Sequence, residues 1–117
     1  MSLLTSFKHA ARGIGIAFWR EKNVQVQLTL LIVVALAGLY FGVTHAEWLA
    51  ITVVSGLVLA LELINTTLEK MLDVIKPRLT DQAGVIKDIA AVAVLIASLT
   101  ALIVASFIFI PHVIERW

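Results

Sequence analysis

Glu62, Asn65, Glu69 and Asp73 close an apolar run that begins near Trp48. At about 100° per helical residue they fall at roughly 0°, 300°, 340° and 20°, one polar stripe on an otherwise apolar helix. A charge at the centre of a membrane helix costs roughly 2.5 to 3.5 kcal/mol on insertion scales, and such groups face a protein interior or a wet cavity. Three carboxylates and an amide in one line therefore need a reason. A general base, a metal ligand, an intramembrane ion site, or simple neutralisation by Asn65 and lysines in an oligomer interface each supply one.

Depth narrows the choice. Glu62 stands 14 residues beyond Trp48, so about 21 Å from one edge of a hydrocarbon layer and roughly 9 Å from the other. Glu69 lies about 10 Å further, at the water boundary. A base contacts a hydroxyl at about 3 Å, and the hydroxyl approaches a phosphorus at a similar distance. A carboxylate holds Mg²⁺ at about 2.1 Å. These steps sum to about 10 Å, so one carboxylate in the lipid and one at its edge suit a lipid alcohol meeting a metal-bound nucleotide. Lys87 and Asp88 lie at the same boundary, where a lysine can pair with phosphate as a point charge. Glu21, between Arg20 and Lys22, is a second carboxylate at that level. As bland alternatives, Asp73 and Glu21 read as solvated charges, and Lys87-Asp88 as an interface anchor with a helix cap. No Gly-x-x-x-x-Gly-Lys-Ser/Thr run is present, so no P-loop cradles phosphate.

The elements that must position these groups are helical. Residues 2 to about 22 read as an amphipathic helix with Leu3, Leu4, Phe7, Ala11, Ile14 and Phe18 on one face, suited to lie in a membrane interface. Three apolar spans follow, at about 24–43, 48–70 and 88–110. Met71 to Lys87 is expected to be a polar connection, Asp88 to cap the third span, and Pro111 to end it. Lys8, Arg12, Arg20 and Lys22 precede the first span, and Lys70, Lys76, Arg78 and Lys87 separate the second from the third. The positive-inside rule then puts the N-terminus and the 70–88 connection in the cytoplasm and the C-terminus outside. Ala93, Ala97, Ala101 and Ala105 form a ridge that permits close helix contact. Three spans give a thin bundle, so a homo-oligomer would supply further walls for the stripe.

Composition agrees. The chain has 117 residues, 61% hydrophobic and 15% charged, with a mean hydropathy of +1.01. One all-α membrane domain over residues 1–117 is expected. The net charge of +1 offers no argument for nucleic acid, and the absence of cysteine excludes disulfides and thiolate chemistry. No signal-peptide cleavage pattern precedes the first apolar run. His9, His45 and His112 show no metal-ligand spacing and read as surface histidines.

Glu62-x-x-Asn65-Thr-Thr-Leu-Glu69-x-x-x-Asp73, followed by Lys87-Asp88-Ile-Ala-Ala-Val-Ala-Val-Leu, resembles the signature of the prokaryotic diacylglycerol kinase family, which includes undecaprenol kinases. Phe7-Lys8-His9-Ala10 and Arg20-Glu21-Lys22-Asn23 extend the resemblance over nearly the whole chain. Glu47-Trp48-Leu49 and Phe109-Ile110-Pro111 lean toward the undecaprenol kinase branch, and so does Gln27, where some diacylglycerol kinases have an acid. The resemblance implies a homotrimer in the bacterial cytoplasmic membrane, with sites shared between subunits. It implies transfer of the ATP γ-phosphoryl group to a lipid alcohol, undecaprenol or diacylglycerol. By position, Glu62 would be the general base and Asn65 would orient it or the substrate. Glu69 and Glu21 would hold the Mg²⁺ of the nucleotide, with Lys87, Asp88 and His9 near its phosphates. Family members often carry Tyr-His before the Lys-Asp pair, where this chain has Leu79-Thr80. The competing classes are a small oligomeric transporter with Glu62 as its ion site, and a membrane partner protein without turnover.

Overall fold

The computed structural model describes residues 2–75 and 80–117. Among the described residues it has four helices: α1 (Leu3–Arg20), α2 (Lys22–Phe41), α3 (His45–Ile75) and α4 (Thr80–Arg116). Three helices are long and apolar enough to cross a membrane: Lys22–Phe41, His45–Ile75 and Asp81–Arg116. Leu30, Ile32, Val33 and Leu36 on α2, and Leu95, Ile96, Leu102 and Ile103 on α4, are exposed. In water such faces would be a liability, and in a bilayer they meet their natural solvent.

Local chemistry sets the helix ends. Ser2 caps α1, its hydroxyl accepting from the Thr5 N–H at 3.2 Å. A single extended residue, Glu21, separates α1 from α2, and the Gln25 side-chain amide bridges the break by donating to the Phe18 carbonyl at 3.0 Å. Gly42 ends α2 in the left-handed conformation that a glycine adopts without steric cost, while the Val43 N–H returns to the Gly38 carbonyl. Thr44 and Glu47 then form a reciprocal cap on α3. The Glu47 N–H donates to the Thr44 hydroxyl, and the Thr44 N–H donates to the Glu47 carboxylate.

A buried apolar cluster sits at this turn. Val43, Ile51 and Ile108 are buried together, with Val34, Phe41, Trp48, Val104 and Phe109 against them. The Trp48 ring lies across Gly38, where an added Cβ would fall 2.6 Å from a ring carbon. His112 joins the start of α3 to the end of α4, its Nε2 lying 3.0 Å from Glu47 Oε1.

Four expectations from the sequence are corrected. Residues 71–75 and 80–87 are helical rather than a polar connection. No proline interrupts either stretch, and Gly84 has open space around it. The expected features at Lys76, Pro77, Arg78 and Leu79 lie outside the described residues. Asp88 consequently sits well inside α4, not at its cap. Pro111 does not stop α4, which continues to Arg116. A proline removes one helical hydrogen bond, but the final turn is held from outside by the His112–Glu47 contact and by Arg116, whose guanidinium lies 4.5 Å from the Tyr40 ring centre. His112 is therefore a half-buried bridging residue rather than a surface histidine.

Candidate active site

The inward face of α3 changes character along its length. Its buried residues are Ile51, Val58, Glu62, Asn65 and Leu72. They recur at intervals of seven, four, three and seven, the spacing of one helical face. Apolar residues hold one half of that face and polar residues interrupt the other. Glu62 is only 5% exposed and Asn65 only 7%.

Both open into a cavity of about 370 Å³. Glu62, Asn65 and Glu69 form its α3 wall, Asn23 and Gln27 face them from α2, and Ala91 and Val94 close it from α4. The Asn65 amide donates to Glu69 Oε1 at 3.4 Å, a long bond along one helical turn. Asn23 turns its amide toward Glu62. Even so, Glu62 Oε1 and Asn65 Oδ1 are buried without a hydrogen-bond partner among the described residues. A buried orphan oxygen costs about 1 to 3 kcal/mol, and more when charged, so two side by side mark a place prepared for something else.

The other candidates do not line this cavity. Glu21 pairs with Lys70 at 2.7 Å, which ties the α1–α2 break to the α3 turn that carries Glu69. Lys87 pairs with Asp73 at 2.9 Å. Both ion pairs belong to the same end of the bundle as Glu69. Asp88 is exposed on α4, and His9 is exposed on α1. Asn23 and Gln27, which the sequence reading did not place in the site, complete its polar lining. The signal was present: two amides at i and i+4 at the start of an apolar span share one face.

Among the described residues, no group of three or more His, Asp or Glu side chains could hold a metal by itself. Mg²⁺ makes a smaller demand, taking one or two carboxylates and filling its remaining positions with water and phosphate oxygens. Glu69 and the orphaned oxygen of Asn65 fit that demand.

A buried carboxylate thus faces a polar cavity on a membrane-length helix. Comparison with known proteins gives the class. The family "Prokaryotic diacylglycerol kinase" matches residues 8–109. An undecaprenol kinase of Bacillus subtilis (strain 168) is 33% identical over 106 residues, which cover 91% of this chain and 86% of that protein. A diacylglycerol kinase of Synechocystis sp. is 35% identical over 118 residues, covering 97% of this chain and 66% of that protein. No solved structure matches the chain. The chain belongs to the prokaryotic diacylglycerol kinase family and is a lipid kinase.

Proposed function

We propose that the protein transfers the γ-phosphoryl group of ATP to a membrane lipid alcohol, with undecaprenol as the foremost acceptor and diacylglycerol as the second. The observation that carries this reading is the orphaned, buried Glu62 Oε1 in a polar cavity that continues into an apolar cleft. A lipid hydroxyl arriving through that cleft would give Glu62 Oε1 the hydrogen bond it lacks. Glu62 then accepts the hydroxyl proton as the lipid oxygen bonds to phosphorus, and ADP leaves with the electrons of the broken phosphorus–oxygen bond. Asn65 is placed to fix Glu69 through its amide and to present Oδ1 to the cavity. Glu69 would hold Mg²⁺ beside Asn65 Oδ1, and Glu21 would join it on leaving Lys70; the bound ion offsets charge on the β and γ phosphates. Lys87 would leave Asp73 for phosphate, with Asp88 and His9 nearby on their helices. Such a reaction needs positioning and electrostatics more than covalent help.

The same reading orients the chain. Lys22, Lys70 and Lys87 gather at the Glu69 end, and the positive-inside rule assigns that end to the cytoplasm, where ATP is. α1 then lies along the cytoplasmic surface, with Leu3, Leu4, Phe7 and Ile14, all exposed in the single chain, turned into the lipid. A homotrimer would cover the open sides of the cavity.

The test is phosphate transfer from labelled Mg-ATP by the purified protein in bilayers, with undecaprenol and diacylglycerol offered separately. Faster transfer to undecaprenol is expected. A folded protein that phosphorylates neither would overturn the proposal.

A further inference from the structure

Two cavities meet at one residue. The polar cavity beside Glu62 and an apolar cleft of about 230 Å³ both include Gln27 in their walls. Beyond Gln27 the cleft runs between α2, α3 and α4, lined mainly by Leu30, Leu31, Val34, Val58 and Leu102, with Ser55 and Ser98 as its other polar residues. Gln27 thus stands at the boundary between the place for a head and the place for a tail. It is half-buried, and its side chain makes no hydrogen bond among the described residues. On α2 it lies about 7.5 Å from Lys22 along the helix axis. That depth is close to the roughly 9 Å derived for Glu62, so both residues address the first few bonds of the same bound lipid.

We propose that Gln27 is a specificity-determining residue that reads oxygen next to the acceptor hydroxyl; this rests on the lipid-kinase reading above. The two acceptors differ at just this place. A diacylglycerol carries ester carbonyls a few bonds from its hydroxyl, whereas a polyprenol carries only hydrocarbon. The Gln27 amide donates to an ester carbonyl and so gains a partner it otherwise lacks. Against a polyprenol the amide stays unpaired or keeps to the water of the polar cavity. Sites that hydrogen-bond a substrate group discriminate far more strongly than apolar ones, because the unmatched ligand leaves a polar group stranded. Gln27, the polar residue nearest the head, therefore lets a mostly apolar cleft accept the ester-bearing alcohol as a second substrate beside the polyprenol.

The test uses three acceptors in bilayers: a diacylglycerol, the dialkyl ether of the same chain lengths, which lacks both carbonyls, and undecaprenol. kcat/KM is measured for the full chain and for Gln27→Leu, with thermal midpoint and oligomeric state as folding controls. The wild-type protein should favour ester over ether by about tenfold. Gln27→Leu should bring that ratio close to one by lowering diacylglycerol use, while undecaprenol use holds or rises because no amide is left stranded. An ester-to-ether ratio already near one in the wild type, or unmoved in the variant, overturns the role of Gln27. So does a wild-type enzyme confined to undecaprenol. Transfer to none of the three overturns the lipid-kinase reading itself, a different result from an unmoved ratio.

Discussion

At one end of the bundle, Glu47 is engaged twice through Oε1. Its carboxylate accepts from the Thr44 N–H at 2.9 Å and lies 3.0 Å from His112. At the other end, Glu62 is more deeply buried and has an oxygen with no partner among the described residues. Both are glutamates of α3, about 22 Å or half a helix length apart. Glu47 closes a cap and staples α4 to α3, so its polar atoms are spent on the fold. Glu62 and Asn65 carry the cost of burial without the matching bonds, which stable structures avoid unless a ligand completes them. The contrast separates a polar cluster that holds helices together from one whose buried oxygens lack partners, which on the proposed reading the substrate supplies.

Four measurements would break or sharpen that contrast. The largest expected effect is from Glu62→Gln, which should lower kcat for lipid phosphorylation by about 10²- to 10⁴-fold, the usual contribution of a general base. Its thermal midpoint should not fall, because the variant removes a buried charge rather than a bond. Near-normal turnover would remove Glu62 as the base. Next, Glu69→Gln should raise the Mg²⁺ concentration needed for half-maximal rate by at least about tenfold. An unchanged Mg²⁺ titration would count against its ligand role.

The two smaller effects belong to the other end and should be read in stability. Gly38→Ala should destabilise by about 1 to 3 kcal/mol, the range for overpacking. The helix gains from alanine, but the Trp48 ring lies 2.6 Å from the new carbon and is itself wedged against the Val43–Ile51–Ile108 cluster. Adding Trp48→Leu to that variant should recover part of the loss; an unaltered unfolding midpoint in Gly38→Ala would show the ring free to move. Glu47→Ala should shift the midpoint down by less, while the rate of phosphate transfer per folded protein stays as it was. Lost activity at full stability would mean that the two ends are not separate in function.

Much of this was legible in the residues alone. The stripe from Glu62 to Glu69 could be read because helical periodicity fixes which residues share a face before any tertiary contact forms. The spans could be read because a bilayer imposes a length. What escaped depended on distant partners. His112 reads as a surface histidine until Glu47, 65 positions away in sequence, is brought to it. Pro111 reads as a stop because its local effect is to break a helix, and only the contacts of the final turn offset this. Asn23 and Gln27 were visible as an i, i+4 amide pair, but only the packing of α2 on α3 shows what they face. Asp88 reads as a cap because the charge-bearing stretch before it reads as a connection, whereas α4 begins at Thr80.

The unequal lengths of the helices have a consequence for the membrane itself. α2 has 20 residues and so measures about 30 Å, one hydrocarbon thickness. α3 has 31 residues and α4 has 37, about 46 and 55 Å. The two long helices can take up a thicker or thinner bilayer by tilting or by projecting further into water. α2 has no such slack: the Glu21 break bounds it at one end and Gly42 at the other. The shortest of the three membrane-length helices thus acts as the depth gauge, and the level of Asn23 and Gln27 follows the thickness of the host membrane.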